Sequence, residues 1–142
     1  MYRHILIPTD GSELAEHGLA HGLALAKFLS AKVSVIFVVE PFSEMSGRFL
    51  EAVATYAEFR KEQATSVLDR VANAAQAAGV SCETIQVESG QPHQAILAAA
   101  DDKGCDLIVM SSHGRSGLSM LLIGSVTNKV LSLAKIPVLV VQ

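Results

Sequence analysis

Toward the end of the chain, Ser111-Ser112-His113-Gly114 is followed by nine residues and then by Gly124-Ser125-Val126-Thr127. The run stands between a short apolar stretch, Leu107-Ile108-Val109-Met110, and a helix-like segment. A glycine-bearing loop between strand and helix offers bare backbone N–H groups to an anion, and the helix N-terminus adds partial positive charge. Hydroxyls at Ser111, Ser112, Ser125 and Thr127 supply further donors, and Met110 joins the site as the last residue of the strand. The pattern predicts a phosphate cradle.

Two common cradles are excluded by residue type. A P-loop needs Lys followed by Ser or Thr after its second glycine, whereas Gly124 is followed by Ser125 and Val126. A dinucleotide fingerprint needs G-x-G-x-x-G just after the first strand, where Pro8-Thr9-Asp10-Gly11 stands. Asp10 itself reads in two ways, as a ligand for ribose hydroxyls, adenine or a phosphate-bound metal, or as a helix cap at capping-box spacing from Glu13, with Ser12 a second candidate cap. His113 has no visible Asp or nucleophile partner, so a loop or hydrogen-bonding role outweighs catalysis. Arg115 and Ser116 follow Gly114, and the arginine is a candidate phosphate partner. His17 and His21 share a helix face without a third metal ligand, and Cys82 and Cys105 stand alone, so no metal site is expected.

The elements that must position these residues alternate between strand and helix. Ile5-Leu6-Ile7 is a short apolar run. A helix spans about Ser12 to Ser30, with Leu14, Gly18, His21, Leu25 and Phe28 at helical spacing. Val33 to Val39 is a second buried strand, closed by Pro41, and Phe42 to Gly47 reads as a loop. A long helical pattern from Phe49 to Ala78 ends at Gly79 as a C-cap would end it. Cys82 to Glu88 alternates like a strand near a sheet edge. A shorter helix follows Pro92 through Ala100, strand four runs from Asp106 to Met110, and a last helix from Val126 to Ala134 carries Lys129 and Lys135 toward its negative end. Pro137 to Val141 is strand five. Fully apolar strands alternating with helices argue an α/β fold whose parallel sheet is covered on both faces.

Composition narrows the function. Half of the 142 residues are apolar, Trp is absent and the formal charge is −3, with no basic run, so nucleic acid is not expected as a partner. No segment reaches the roughly 18 uninterrupted apolar residues of a membrane helix, and the start runs straight into a strand. A single, soluble, reduced cytoplasmic domain over residues 1–142 is the expectation.

Gly114, the nine-residue spacer and Gly124-Ser125 resemble the phosphate-binding signature of the universal stress protein family: Gly, two residues, Gly, nine residues, then Gly-Ser or Gly-Thr. Ser111 stands where that signature has its first glycine. Serine serves there if the position only donates an N–H, and costs something if it needs φ > 0. Ile5-Leu6-Ile7-Pro8-Thr9-Asp10-Gly11-Ser12, Gly90-Gln91-Pro92 and Ile136 to Val141 extend the resemblance over the chain. It implies a five-stranded parallel sheet in order 3-2-1-4-5, Rossmann-like and similar to adenine nucleotide alpha hydrolases. The switch point then falls between strands one and four, where open α/β sheets bind ligands.

The resemblance also implies ATP, with or without Mg²⁺, held by Pro8, Thr9, Asp10, the Val38 backbone, Met110, Ser111, His113, Gly114, Arg115, Gly124, Ser125, Val126 and Thr127. It implies a homodimer through the apolar edge Val138–Val141 and a nucleotide-dependent stress-response or signalling role, with no catalytic residue assigned. A slow ATP hydrolase or adenylyl-transfer enzyme is one alternative, and an interaction module without nucleotide is the other.

Overall fold

A computed structural model describes residues 1–41, 50–114 and 122–142. In chain order the elements are β1 (His4–Pro8), α1 (Glu13–Leu29), β2 (Lys32–Val39), α2 (Leu50–Ala78), β3 (Cys82–Glu88), α3 (Pro92–Lys103), β4 (Leu107–Ser111), α4 (Ser125–Leu133) and β5 (Val138–Val141). The five strands form one parallel sheet in order β3-β2-β1-β4-β5. The expected α/β class and strand order hold. The expected Phe42–Gly47 loop and the first residue of the expected long helix, Phe49, lie outside the described residues.

Alternation along each strand divides the core in two. Ile5, Ile7, Val33, Val35, Phe37, Leu107 and Val109 face α1 and α2. Leu6, Ile36, Ile108 and Met110 face α3 and α4 with Ile96, Ala100 and Val130. Burial on both faces is why these strands carry unbroken apolar runs.

The face that α1 buries is not the one its large residues suggest. Ala15, Gly18, Leu19, Gly22, Leu23 and Ala26 are buried, while His21 is exposed and Phe28 is 86% exposed. The small residues win because the helix lies close on the sheet. A Cβ at Gly18 would stand 3.1 Å from the backbone nitrogen of Ser111.

Helix ends also differ in detail. Ser12, not Asp10, caps α1, its hydroxyl accepting from the Ala15 N–H, while Asp10 Oδ1 accepts from the Ser12 N–H. Gly79, at φ 74°, follows α2 directly, as expected. Helix α3 continues past Ala100 to Lys103, where Gly104 ends it in the left-handed region. Strand β4 starts at Leu107 rather than Asp106, and the Asp106 carboxylate accepts from the N–H groups of Arg3 and His4 at the start of β1. Helix α4 stops at Leu133 with no basic residue in its last turn, so Lys129 and Lys135 do not complement its dipole as expected.

Candidate functional site

Residues that follow β1, β2 and β4 line a cleft of about 770 Å³ at the carboxyl ends of these strands, at the switch point of the sheet. Pro8, Thr9, Asp10, Val38, Met110, Ser111, His113, Gly114, Gly124, Ser125, Val126 and Thr127 all line it. The expected site residues are therefore brought together except Ser112, whose hydroxyl lies against His113 Nδ1 and not on the cleft, and Arg115, which, like Ser116, lies outside the described residues.

The start of α4 is tied to the end of β4 by backbone and hydroxyl bonds. The Gly124 N–H donates to the Ser112 carbonyl at 2.7 Å, and Thr127 Oγ1 donates to the Ser111 carbonyl at 2.9 Å. Ser111 Oγ donates to the His113 carbonyl at 2.7 Å. The protons of Ser111 and Thr127 thus brace the loop, contrary to the expectation that these hydroxyls are donors for an anion. Ser111 is not among the residues with positive φ, so the conformational objection to serine at that position falls away.

Both glycines of the loop are explained by close approach. A Cβ at Gly124 would stand 3.2 Å from the Ser112 carbonyl oxygen and 3.4 Å from the His113 Cα. At Gly114 it would stand 2.5 Å from Asp10 Oδ2. Asp10 therefore leans across the loop that follows β4, and joins the two halves of the site.

What remains unengaged points to a ligand. Among the described residues no side chain caps α4 at Gly124, and the first-turn N–H groups of Ser125, Val126 and Thr127 have no intrahelical carbonyl. The first hydrogen bond back into the helix is from the Asn128 N–H to the Gly124 carbonyl. His113 is 7% exposed and its Nδ1 lies 3.0 Å from Ser112 Oγ. Its Nε2 is buried with no hydrogen-bond partner among the described residues. Leaving such a group unmet costs about 1–3 kcal/mol, which a polar ligand would recover.

Apolar walls complete the cleft: Ile36 and Val38 from β2, Ile96 from α3 and Met110 from β4. The α2 side adds Tyr56 and Arg60, and Glu40 follows β2. Neither α2 residue is expected from the sequence motifs. The signal for Arg60 is a charge on an otherwise apolar stripe that continues through Ala64, Val67 and Val71. Among the described residues, no group of three or more His, Cys, Asp or Glu is placed to hold a metal ion. His17 and His21 are exposed on α1.

The model of the universal stress protein family matches residues 1–142. The chain belongs to this family. It is 36% identical over 144 residues to the universal stress protein MJ0531 of Methanocaldococcus jannaschii, covering all of this chain and 83% of that one. Among solved structures, protein MJ0577 of the same organism superposes with a TM-score of 0.78 at 33% identity, covering 99% of this chain and 96% of the other. A universal stress protein solved in complex with cAMP superposes with a TM-score of 0.74 at 25% identity, covering 99% and 97%. Family membership thus rests on the whole length of the chain, beyond the glycine loop alone.

Proposed function

We propose that this universal stress protein binds ATP in the cleft at the carboxyl edge of its sheet and works as one cytoplasmic domain in nucleotide-dependent stress response or signalling. One observation carries the reading: the first turn of α4, uncapped among the described residues, lines the same cleft as His113, whose buried Nε2 has no partner among them. Helix N-termini favour phosphate through oriented N–H groups and the helix dipole. The base would lie against Ile36, Val38 and Met110, since nucleotide pockets pair apolar walls with a few fixed polar groups. Asp10, held by the Ser12 N–H, would serve the ribose or a Mg²⁺ brought by the phosphates. The relative solved with cAMP supports an adenine nucleotide at 25% identity. Among the described residues, no helix is long and apolar enough to cross a membrane.

Assembly is part of the proposal. Strand β5 ends the sheet beside β4, and Leu139 is exposed on it, with Leu131 and Leu133 exposed on the neighbouring helix. An apolar edge with unpaired backbone groups favours pairing with a second copy across a twofold axis.

Mass spectrometry of gently denatured purified protein tests the nucleotide reading. An adenine nucleotide co-purifying at close to one per chain is expected. Protein that emerges free of nucleotide and takes up no ATP at millimolar concentration would overturn it and favour the interaction-module alternative.

A further inference from the structure

His113 lines the cleft, and its neutral ring has two nitrogens with one proton between them. Nδ1 lies 3.0 Å from Ser112 Oγ, and Nε2 is buried with no partner among the described residues. Which nitrogen carries the proton decides whether Nε2 can give a hydrogen bond or only accept one. The hydrogen-bond partners of the two residues favour one answer.

If Nδ1 carried the proton, it would donate to Ser112 Oγ, and the hydroxyl proton would need an acceptor of its own. Ser112 is 4% exposed, and Nδ1 is the hydroxyl's one hydrogen-bond partner among the described residues. That arrangement leaves two groups unmet, the hydroxyl proton and the Nε2 lone pair. If the Ser112 hydroxyl donates to Nδ1 instead, only Nε2–H is left. Buried polar groups without partners are costly, so one is favoured over two.

Ser112 is well fixed for this role. Its N–H donates to the Val141 carbonyl at the end of β5, and its carbonyl accepts from the Gly124 N–H before α4. The far edge of the imidazole stands by the same helix start: a Cβ on Gly124 would lie 3.9 Å from His113 Cδ2, the carbon bonded to Nε2.

We propose that Ser112 is a positioning residue that locks His113 in the Nε2–H tautomer, and that Nε2–H donates to the ligand beside the first turn of α4. The unpartnered groups of His113 and of that turn are then all donors: Nε2–H and the N–H groups of Ser125, Val126 and Thr127. Donors alone suit an oxygen with lone pairs and no proton, which a phosphate supplies. This inference rests on the nucleotide reading above and assigns His113 to the phosphate end of the ligand.

NMR of the imidazole nitrogens in the isotopically labelled full chain tests it at about pH 8, where an ordinary histidine is neutral. Spectra are recorded without nucleotide and then with ATP. Wild-type His113 should show a protonated Nε2 and an unprotonated Nδ1, and the Nε2 proton should shift on saturation with ATP. Ser112→Ala should leave the ring a mixture of tautomers and weaken ATP about tenfold, the scale of one hydrogen bond to a charged group. Ser112→Thr keeps the hydroxyl and should restore both. A protonated Nδ1 in the wild type overturns the inference, as does an Nε2 signal that saturating ATP leaves in place; neither touches the nucleotide reading. Weakened ATP with an unaltered tautomer in Ser112→Ala would make the serine a structural brace and overturn its positioning role. If no signal anywhere responds to millimolar ATP, the nucleotide reading fails and this assignment fails with it.

Discussion

The two ends of this sheet use similar polar residues to opposite purpose. At the amino end, His4 Nε2 lies 2.7 Å from Ser34 Oγ, and the Ser34 hydroxyl reaches Glu83 Oε1 at 3.5 Å. Lys103 Nζ meets the same Glu83 oxygen at 2.9 Å, and the Asp106 carboxylate accepts from the Arg3 and His4 N–H groups. The polar groups there bond to one another across four elements, apart from His4 Nδ1, which is buried with no partner among the described residues. At the carboxyl end, the hydroxyls of Ser111 and Thr127 brace the loop, while His113 Nε2 and the first turn of α4 have no partner among the described residues. Satisfied polar clusters rigidify and specify a fold, whereas the open groups at the carboxyl end belong to residues that line the cleft.

That contrast is broken most directly at Gly124. A valine there drives a branched side chain into the Ser112 carbonyl and His113, closing the loop on itself. ATP affinity measured by calorimetry should fall at least a hundredfold. The melting temperature should shift by no more than a few degrees, because the loop lies at the rim of the sheet. Unchanged affinity would remove the site from this loop.

A third region should respond independently of both ends. Leu139→Lys and Val140→Lys put a charge on the β5 edge, one on each side of the strand. Light scattering at micromolar concentration should find the wild type dimeric and at least one variant monomeric. A monomeric wild type, or two variants that stay dimeric, would rule out that interface.

The amino end should appear in stability and not in binding. Burial, reinforced by the positive charge of Lys32, lowers the pKa of His4 below its ordinary 6.5. The unfolded chain then binds a proton that the folded chain refuses. The stabilisation is fully present above about pH 6.5 and is lost as the pH falls through the lowered value. Asp106 adds a loss at lower pH: burial raises its pKa, the backbone N–H groups of Arg3 and His4 more than offset this, and the net is a lowered value. Thermal melts should show stability falling below pH 6.5, and His4→Gln should flatten the fall between pH 6.5 and 5. A profile that His4→Gln leaves unaltered would show that His4 is not responsible.

The smallest effect is expected at Ser111. Its φ is not positive and its hydroxyl faces the His113 carbonyl, so glycine removes one brace of the loop but no hydroxyl offered to the ligand. Ser111→Gly should hold ATP affinity within about tenfold, or roughly 1.4 kcal/mol. A much larger gain would mark the natural loop as a crippled binder.

Much of this was legible in the residues, and the exceptions share a cause. Strands buried on both faces declare themselves as apolar runs, so Ile5–Ile7, Val33–Val39 and Leu107–Met110 were readable, and the spaced glycines carried the loop. Of the stripe expected on α1, Gly18 is buried and Leu25 packs on the core, while His21 and Phe28 are exposed, because close packing selects small residues such as Gly22 over large ones. Hydroxyls were legible as polar groups, but not which carbonyl each would reach, as Thr127 and Ser111 show. The His4–Ser34–Glu83–Lys103 cluster and the place of Arg60 in the cleft depend on residues far apart in the chain. No local spacing announces them.

Backbone amide shifts recorded while ATP is titrated into the isotopically labelled wild type test the contrast at its root. Shifts should move for Thr9, Asp10, the Ser111–Gly114 segment and Ser125–Thr127, with one ATP per chain at saturation, while His4, Ser34, Glu83 and Asp106 stay in place. Saturable shifts centred on the amino-end residues, or none anywhere at millimolar ATP, would contradict the assignment of the carboxyl-edge cleft as the nucleotide site.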